Sequence, residues 1–76
     1  MEYIEVDIEI EKSEVFSDIV VARLNEIEFE TFLENDNGVR CYIQATLFDK
    51  KKLDIELDKI KQYTKLNFNI NHVAQK

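Results

Sequence analysis

Residues 3–11 alternate without a break: Ile4, Val6, Ile8 and Ile10 are separated by Tyr3, Glu5, Asp7, Glu9 and Glu11. Successive side chains of a β-strand point to opposite faces, so this segment reads as a strand with one apolar side and one acidic side. Such a strand packs one face on a core and leaves the other in water, the habit of antiparallel sheets. The rest of the chain must therefore supply a cover for the isoleucine face.

The following segments read as that cover and its neighbouring strands. Ser13 is in place to cap a helix, with Ser17 as a rival start one turn on, and Glu14 and Asp18 suit the positive end of the helix dipole. Phe16, Ile19, Val20, Leu24 and Ile27 recur at helical spacing and predict its buried stripe. Residues 29–34 and 39–47 read as two strands joined by Asn35-Asp36-Asn37-Gly38. The Asn-Gly pair there tolerates positive φ and favours a tight hairpin turn. In the second of these strands Val39, Cys41, Ile43 and Ala45 point one way, and Arg40, Tyr42 and Gln44 the other. Asp49 caps a second helix with Leu53, Leu57 and Ile60 as its stripe, Ile55 off it, and Phe48 placed to pack one turn in. Lys50, Lys51 and Lys52 oppose the dipole there, a conflict of about a few tenths of a kcal/mol. Residues 65–73 alternate Leu66, Phe68 and Ile70 with Asn67, Asn69 and Asn71, and read as a last strand.

The order is β-α-β-β-α-β. With right-handed crossovers this is the ferredoxin-like α+β arrangement, a four-stranded antiparallel sheet with both helices on one face. The other face stays open. Glu5, Asp7, Glu9, Glu30, Phe32, Glu34, Arg40, Tyr42 and Gln44 are expected on it, with Asn67, Asn69 and Asn71. The 76 residues contain no proline and one glycine, so no linker divides them and a single domain is expected.

Composition narrows the function classes. The net charge is −6, which opposes binding to a phosphate backbone, where Lys and Arg displace counterions. The RNA-recognition fold shares this element order and stacks bases on central-strand aromatics. Here Glu5, Asp7 and Glu9 run through that face, and the third strand reads Val39-Arg40-Cys41-Tyr42-Ile43, without a glycine-aromatic signature. No apolar run approaches the ~20 residues of a membrane span, and the acidic N-terminus does not suit a signal peptide. A lone cysteine forms no internal disulfide and fits a reducing compartment, so the chain reads as cytoplasmic.

Catalytic templates find little to hold. One His72 and one Cys41 make no metal-ligand set, and no pattern brings them together as a nucleophile pair. Cys41 reads as a small core residue and His72 as a surface one. Phosphate and dinucleotide loops need several glycines, and Gly38 is spent on its turn. Glu5 and Asp7 on one face are a candidate acid–base pair only in a pocket that tunes them; otherwise they are a solvated face.

Three stretches carry a resemblance: Tyr3-Ile4-Glu5-Val6, then Leu24-Asn25-Glu26-Ile27-Glu28-Phe29-Glu30-Thr31-Phe32, then Gly38-Val39-Arg40-Cys41-Tyr42-Ile43. In their order and spacing they resemble the N-terminal domain of the ribosomal protein L-eleven methyltransferases, most closely the versions of Bacteroidetes-type bacteria. The resemblance implies a small ferredoxin-like substrate-recognition domain, joined in the family to a larger domain that binds S-adenosylmethionine. Together the two methylate amino groups of a large-subunit ribosomal protein. No catalytic or cofactor residue carries over to this chain. The implied partners are a basic ribosomal protein and the chain's own C-terminal catalytic domain, with the acidic face and its aromatics Phe32 and Tyr42 as the contact surface. Acids repelling across a symmetric pairing predict a monomer. The family commonly has glycine between the first helix and the following phenylalanine, where this chain has Glu28, so the helix exit is expected to differ here or to be strained.

Overall fold

The computed structural model describes residues 2–74. Its elements are β1 (Glu2–Ile10), α1 (Ser13–Asn25), β2 (Thr31–Asn35), β3 (Gly38–Gln44), a short 3-10 turn (Ala45–Leu47), α2 (Lys50–Lys61) and β4 (Leu66–Ala74). The four strands form one antiparallel sheet in the order β2-β3-β1-β4, the ferredoxin-like topology. β1 lies in the middle because its alternation buries one face completely. Ile4, Val6, Ile8 and Ile10 join Val39, Cys41, Ile43 and Leu66 beneath the helix residues Val20, Leu24, Leu53, Leu57 and Ile60.

Helix α2 follows its sequence pattern. The Asp49 carboxylate accepts from the Lys51 and Lys52 N–H groups at 2.9 and 3.5 Å, a side-chain cap for the first turn. Lys50 reaches Asp54 at 3.0 Å, which gives one of the dipole-opposing lysines a local partner. Glu56 is buried between the helices, with Lys59 at 3.2 Å and Arg23 at 3.9 Å.

Helix α1 departs from expectation in two ways. Neither Ser13 nor Ser17 caps it: Lys12 holds the cap position without a side-chain bond, and both serines are buried in the helix. The Ser13 hydroxyl instead donates to the Asp36 carbonyl at 2.6 Å, tying the helix start to the hairpin turn. The helix is also rotated from its predicted stripe, burying Ser13, Ser17, Val20 and Leu24 while Ile19 stays 43% exposed. Small serines let the first turns lie close against the hairpin end, which larger apolar residues there would prevent.

The exit from α1 is the strained one. Glu28 has φ 79°, the one non-glycine residue with positive φ among those described. The Phe29 N–H bonds back to the Leu24 carbonyl at 3.2 Å, a five-residue reach characteristic of a Schellman closure with Glu28 in the left-handed position. Phe29 and Leu24, both buried, supply the hydrophobic contact that accompanies this motif.

Two strand boundaries move as well. β3 ends at Gln44 rather than at residue 47, where the chain coils into the 3-10 turn that leads to α2. β2 starts at Thr31 rather than at residue 29, because Phe29 enters the core from the turn and not from a ladder. The register of the hairpin corrects the face assignment. The hairpin turns over Asp36-Asn37 rather than Asn37-Gly38, with the Asn35 side chain accepting from the Asn37 and Gly38 N–H groups at 2.8 and 3.0 Å. Asn35 then pairs with Gly38, Glu34 with Val39, Leu33 with Arg40 and Phe32 with Cys41. Cross-strand partners share a face, so Phe32 and Glu34 lie on the helix side and Thr31 and Leu33 on the open side. Phe32 is half-buried against the core, and Glu34 is exposed at the sheet edge near Ser13 and Ser17.

Candidate functional site

The open sheet face carries the candidate site. β1 places Tyr3, Glu5, Asp7 and Glu9 there, and the register sets Tyr42 and Arg40 of β3 opposite Glu5 and Asp7. On the other flank Asn71, Asn69 and Asn67 of β4 face Glu5, Asp7 and Glu9. Glu5 is the hub: its carboxylate accepts from the Tyr42 hydroxyl at 2.8 Å and from the Asn71 amide at 3.4 Å, so one side chain links three strands. Asp7 is partly neutralised by Arg40 at 3.5 Å. Glu9 and the neighbouring asparagines remain exposed. The face is thus less acidic than the sequence alone suggests.

At one end of the face lies a shallow pocket of about 280 Å³ lined by Tyr3, Glu30, Thr31, Tyr42 and Val73. Glu30 precedes β2, and its N–H donates to the Tyr42 carbonyl at 3.0 Å, which holds it at the rim. The carboxylate of Glu30 beside the Tyr3 hydroxyl raises that phenol above its ordinary pKa, and Glu5 does the same to Tyr42 through the 2.8 Å hydrogen bond. A carboxylate that accepts the phenolic proton favours the protonated ring.

Of the residues expected to form the partner face, the structure brings Glu5, Asp7, Glu9 and Tyr42 together, sets Glu30 at the rim, and removes Phe32 and Glu34 to the other side. Leu33, 53% exposed on the open face, was missed. The signal for it was present. Any two-residue turn pairs an even-numbered residue of one strand with an odd-numbered residue of the other. Reading Cys41 as inward therefore already obliges Phe32 to be inward and Leu33 outward.

No three His, Cys, Asp or Glu side chains converge among the described residues as a metal site would require. Cys41 is buried, its thiol donates to the Val6 carbonyl at 3.4 Å, and burial followed by the nearby Asp7 and Glu5 charges pushes it up to about 12. His72 is exposed on β4, paired with Ile4, two strands away from Cys41. Gly38 is packed into β3, where a Cβ would stand 1.9 Å from the Ile8 carbonyl oxygen.

On the opposite side, Phe16, Ile19 and Arg23 of α1 and Ile60 of α2, with Tyr63 beyond it, line a groove of about 380 Å³ between the helices. No described helix is long and apolar enough to cross a membrane.

Comparison with known proteins yields partial matches. The Ribosomal protein L11 methyltransferase of Phocaeicola vulgatus is 46% identical over 41 residues, 54% of this chain and 15% of that protein. Those of two strains of Bacteroides fragilis are 38% identical over 45 residues, 59% of this chain and 16% of theirs. The matched stretch thus spans only 15–16% of the length of these curated relatives, to which the chain is similar. No family model and no solved structure matches the chain.

Proposed function

We propose, from this likeness to ribosomal protein methyltransferases, that the chain is the substrate-recognition domain of an S-adenosylmethionine-dependent enzyme that methylates amino groups of a large-subunit ribosomal protein. The similarity over 54–59% of the chain is the observation that carries this reading. The open face supports it: ribosomal proteins are basic, and Glu5, Glu9 and Glu30 would draw one in while Tyr42 and Leu33 offer apolar contact. Chemistry and cofactor would belong to a second domain, as the resemblance implies.

The test is binding of the purified ribosomal protein to the 76-residue chain by titration calorimetry at several salt concentrations. Reversing Glu5 and Glu9 to lysine is expected to weaken binding about tenfold or more at low salt and to flatten the salt dependence. Unchanged low-salt affinity would remove the open face from the interface.

One observation favours a second reading, a stand-alone pairing module. β4 is an edge strand of nine residues, Leu66–Ala74, with no Lys, Arg, Asp or Glu, so it lacks the charges that keep edges from pairing. Light scattering at micromolar concentration separates the two: a stable dimer favours edge pairing, a monomer the recognition domain.

A further inference from the structure

All four strands deliver a side chain to the pocket at the end of the open face: Tyr3, Thr31, Tyr42 and Val73, with Glu30 at its rim. Its lining holds one carboxylate, three hydroxyls and no cationic side chain. The Tyr42 hydroxyl gives its proton to Glu5 at 2.8 Å. The Glu30 carboxylate lies near enough to the Tyr3 hydroxyl to raise its pKa. Glu30 places a carboxylate in the lining, and the Thr31 hydroxyl and the two phenol oxygens are able to accept hydrogen bonds. Arg40, on Asp7 at 3.5 Å, is not part of the lining, although its charge also reaches the Tyr42 hydroxyl and opposes the effect of Glu5 there.

A pocket lined by a carboxylate and two tyrosines suits a donor-rich ligand that carries positive charge. A lysine side chain meets that description. Its ammonium has three donors and no acceptor, its charge is attracted to ring faces, and its methylene stem packs on apolar walls such as Val73. We propose that Tyr3, Tyr42 and Glu30 form a subsite for the ammonium group of a lysine on a basic polypeptide. The subsite rests on the recognition reading above and names where on the face a basic partner is anchored.

The test is a titration of the isotope-labelled 76-residue chain, followed by amide chemical shifts, with Nα-acetyl-lysine-N-methylamide. Nα-acetyl-norleucine-N-methylamide, with the same stem and no charge, is the comparison. Lysine is expected to give saturable shifts centred on Tyr3, Glu30, Thr31, Tyr42 and Val73, and norleucine none. Glu30→Gln and Tyr3→Leu should each weaken lysine binding about three- to tenfold, while Glu14→Gln on α1 leaves it unchanged. Shifts spread along the whole acidic surface, or equal binding by Glu30→Gln, overturn the subsite. Retained amide dispersion in each variant shows that it folds. Two results separate this inference from the reading beneath it. Affinity for the ribosomal protein that survives Glu30→Gln and Tyr3→Leu removes the subsite and keeps the recognition role. Lysine binding at the pocket without affinity for the ribosomal protein does the reverse.

Discussion

Glu28 closes helix α1 in a conformation that costs an L-residue energy, and its replacement by glycine should make the domain more stable. At φ 79° its Cβ crowds the following carbonyl, a penalty of about 1–2 kcal/mol for a non-glycine residue. Glycine removes that penalty but loses more chain entropy on folding, about 0.5–1 kcal/mol. The net gain expected for Glu28→Gly is therefore about 0.5–1 kcal/mol, with nothing to subtract for lost contacts: the side chain is exposed and makes no hydrogen bond or ion pair among the described residues. For a domain of this size that is a rise in Tm of about 2–8 °C. Urea unfolding followed by circular dichroism measures it, with Glu28→Ala as the control that removes the side chain but keeps the strain. Glycine should stabilise, asparagine stabilise less, and alanine change little. A Glu28→Gly variant no more stable than Glu28→Ala would show that the left-handed exit is not where the strain is held.

Gly38→Ala should have the opposite sign. Its Cβ would lie 1.9 Å from the Ile8 carbonyl oxygen, so β1 and β3 must separate at that end, costing more than about 1 kcal/mol in the same unfolding assay. Phe32→Ala should lower stability by about 2 kcal/mol or more while leaving affinity for a basic partner unchanged, and Leu33→Ala should do the reverse, because only Leu33 stands on the open face. Cys41 should react with a thiol reagent at pH 8 at least about a hundredfold more slowly in the folded chain than in urea, since the thiolate is the reacting species. Cys41 holds its proton more tightly folded than unfolded, and Tyr3 and Tyr42 share that direction. Their contribution to stability is thus full below about pH 9 and declines as pH rises from there toward about 12, which unfolding midpoints across that range would record.

What could be read without the tertiary structure was whatever a local period or cap reports. β1 carries four inward apolar residues in strict alternation, so its faces follow from its own residues. α2 has a capping aspartate and a three-residue stripe, and both stand as read. Element order, and with it the ferredoxin-like topology, follows from these segments and from the handedness of crossovers. β2 is different. It is a five-residue edge strand in which only Phe32 is even partly buried, so its own pattern barely distinguishes its faces. Its phase follows from its hairpin partner, since a two-residue turn with Cys41 inward sets Phe32 inward, whereas its start at Thr31 was decided by the turn at Glu28, which feeds Phe29 into the core before the ladder begins. Rotation of α1 was likewise a tertiary matter: Ser13 and Ser17 face inward because they lie against the hairpin end, and no helical period in the sequence marks serine as buried. The acidic side of β1 was legible from its first residues. That Arg40 partly cancels it, and that Tyr3, Tyr42 and Glu30 close a pocket at its end, depended on which strands lie beside β1 and in what register, contacts made between residues far apart in the chain.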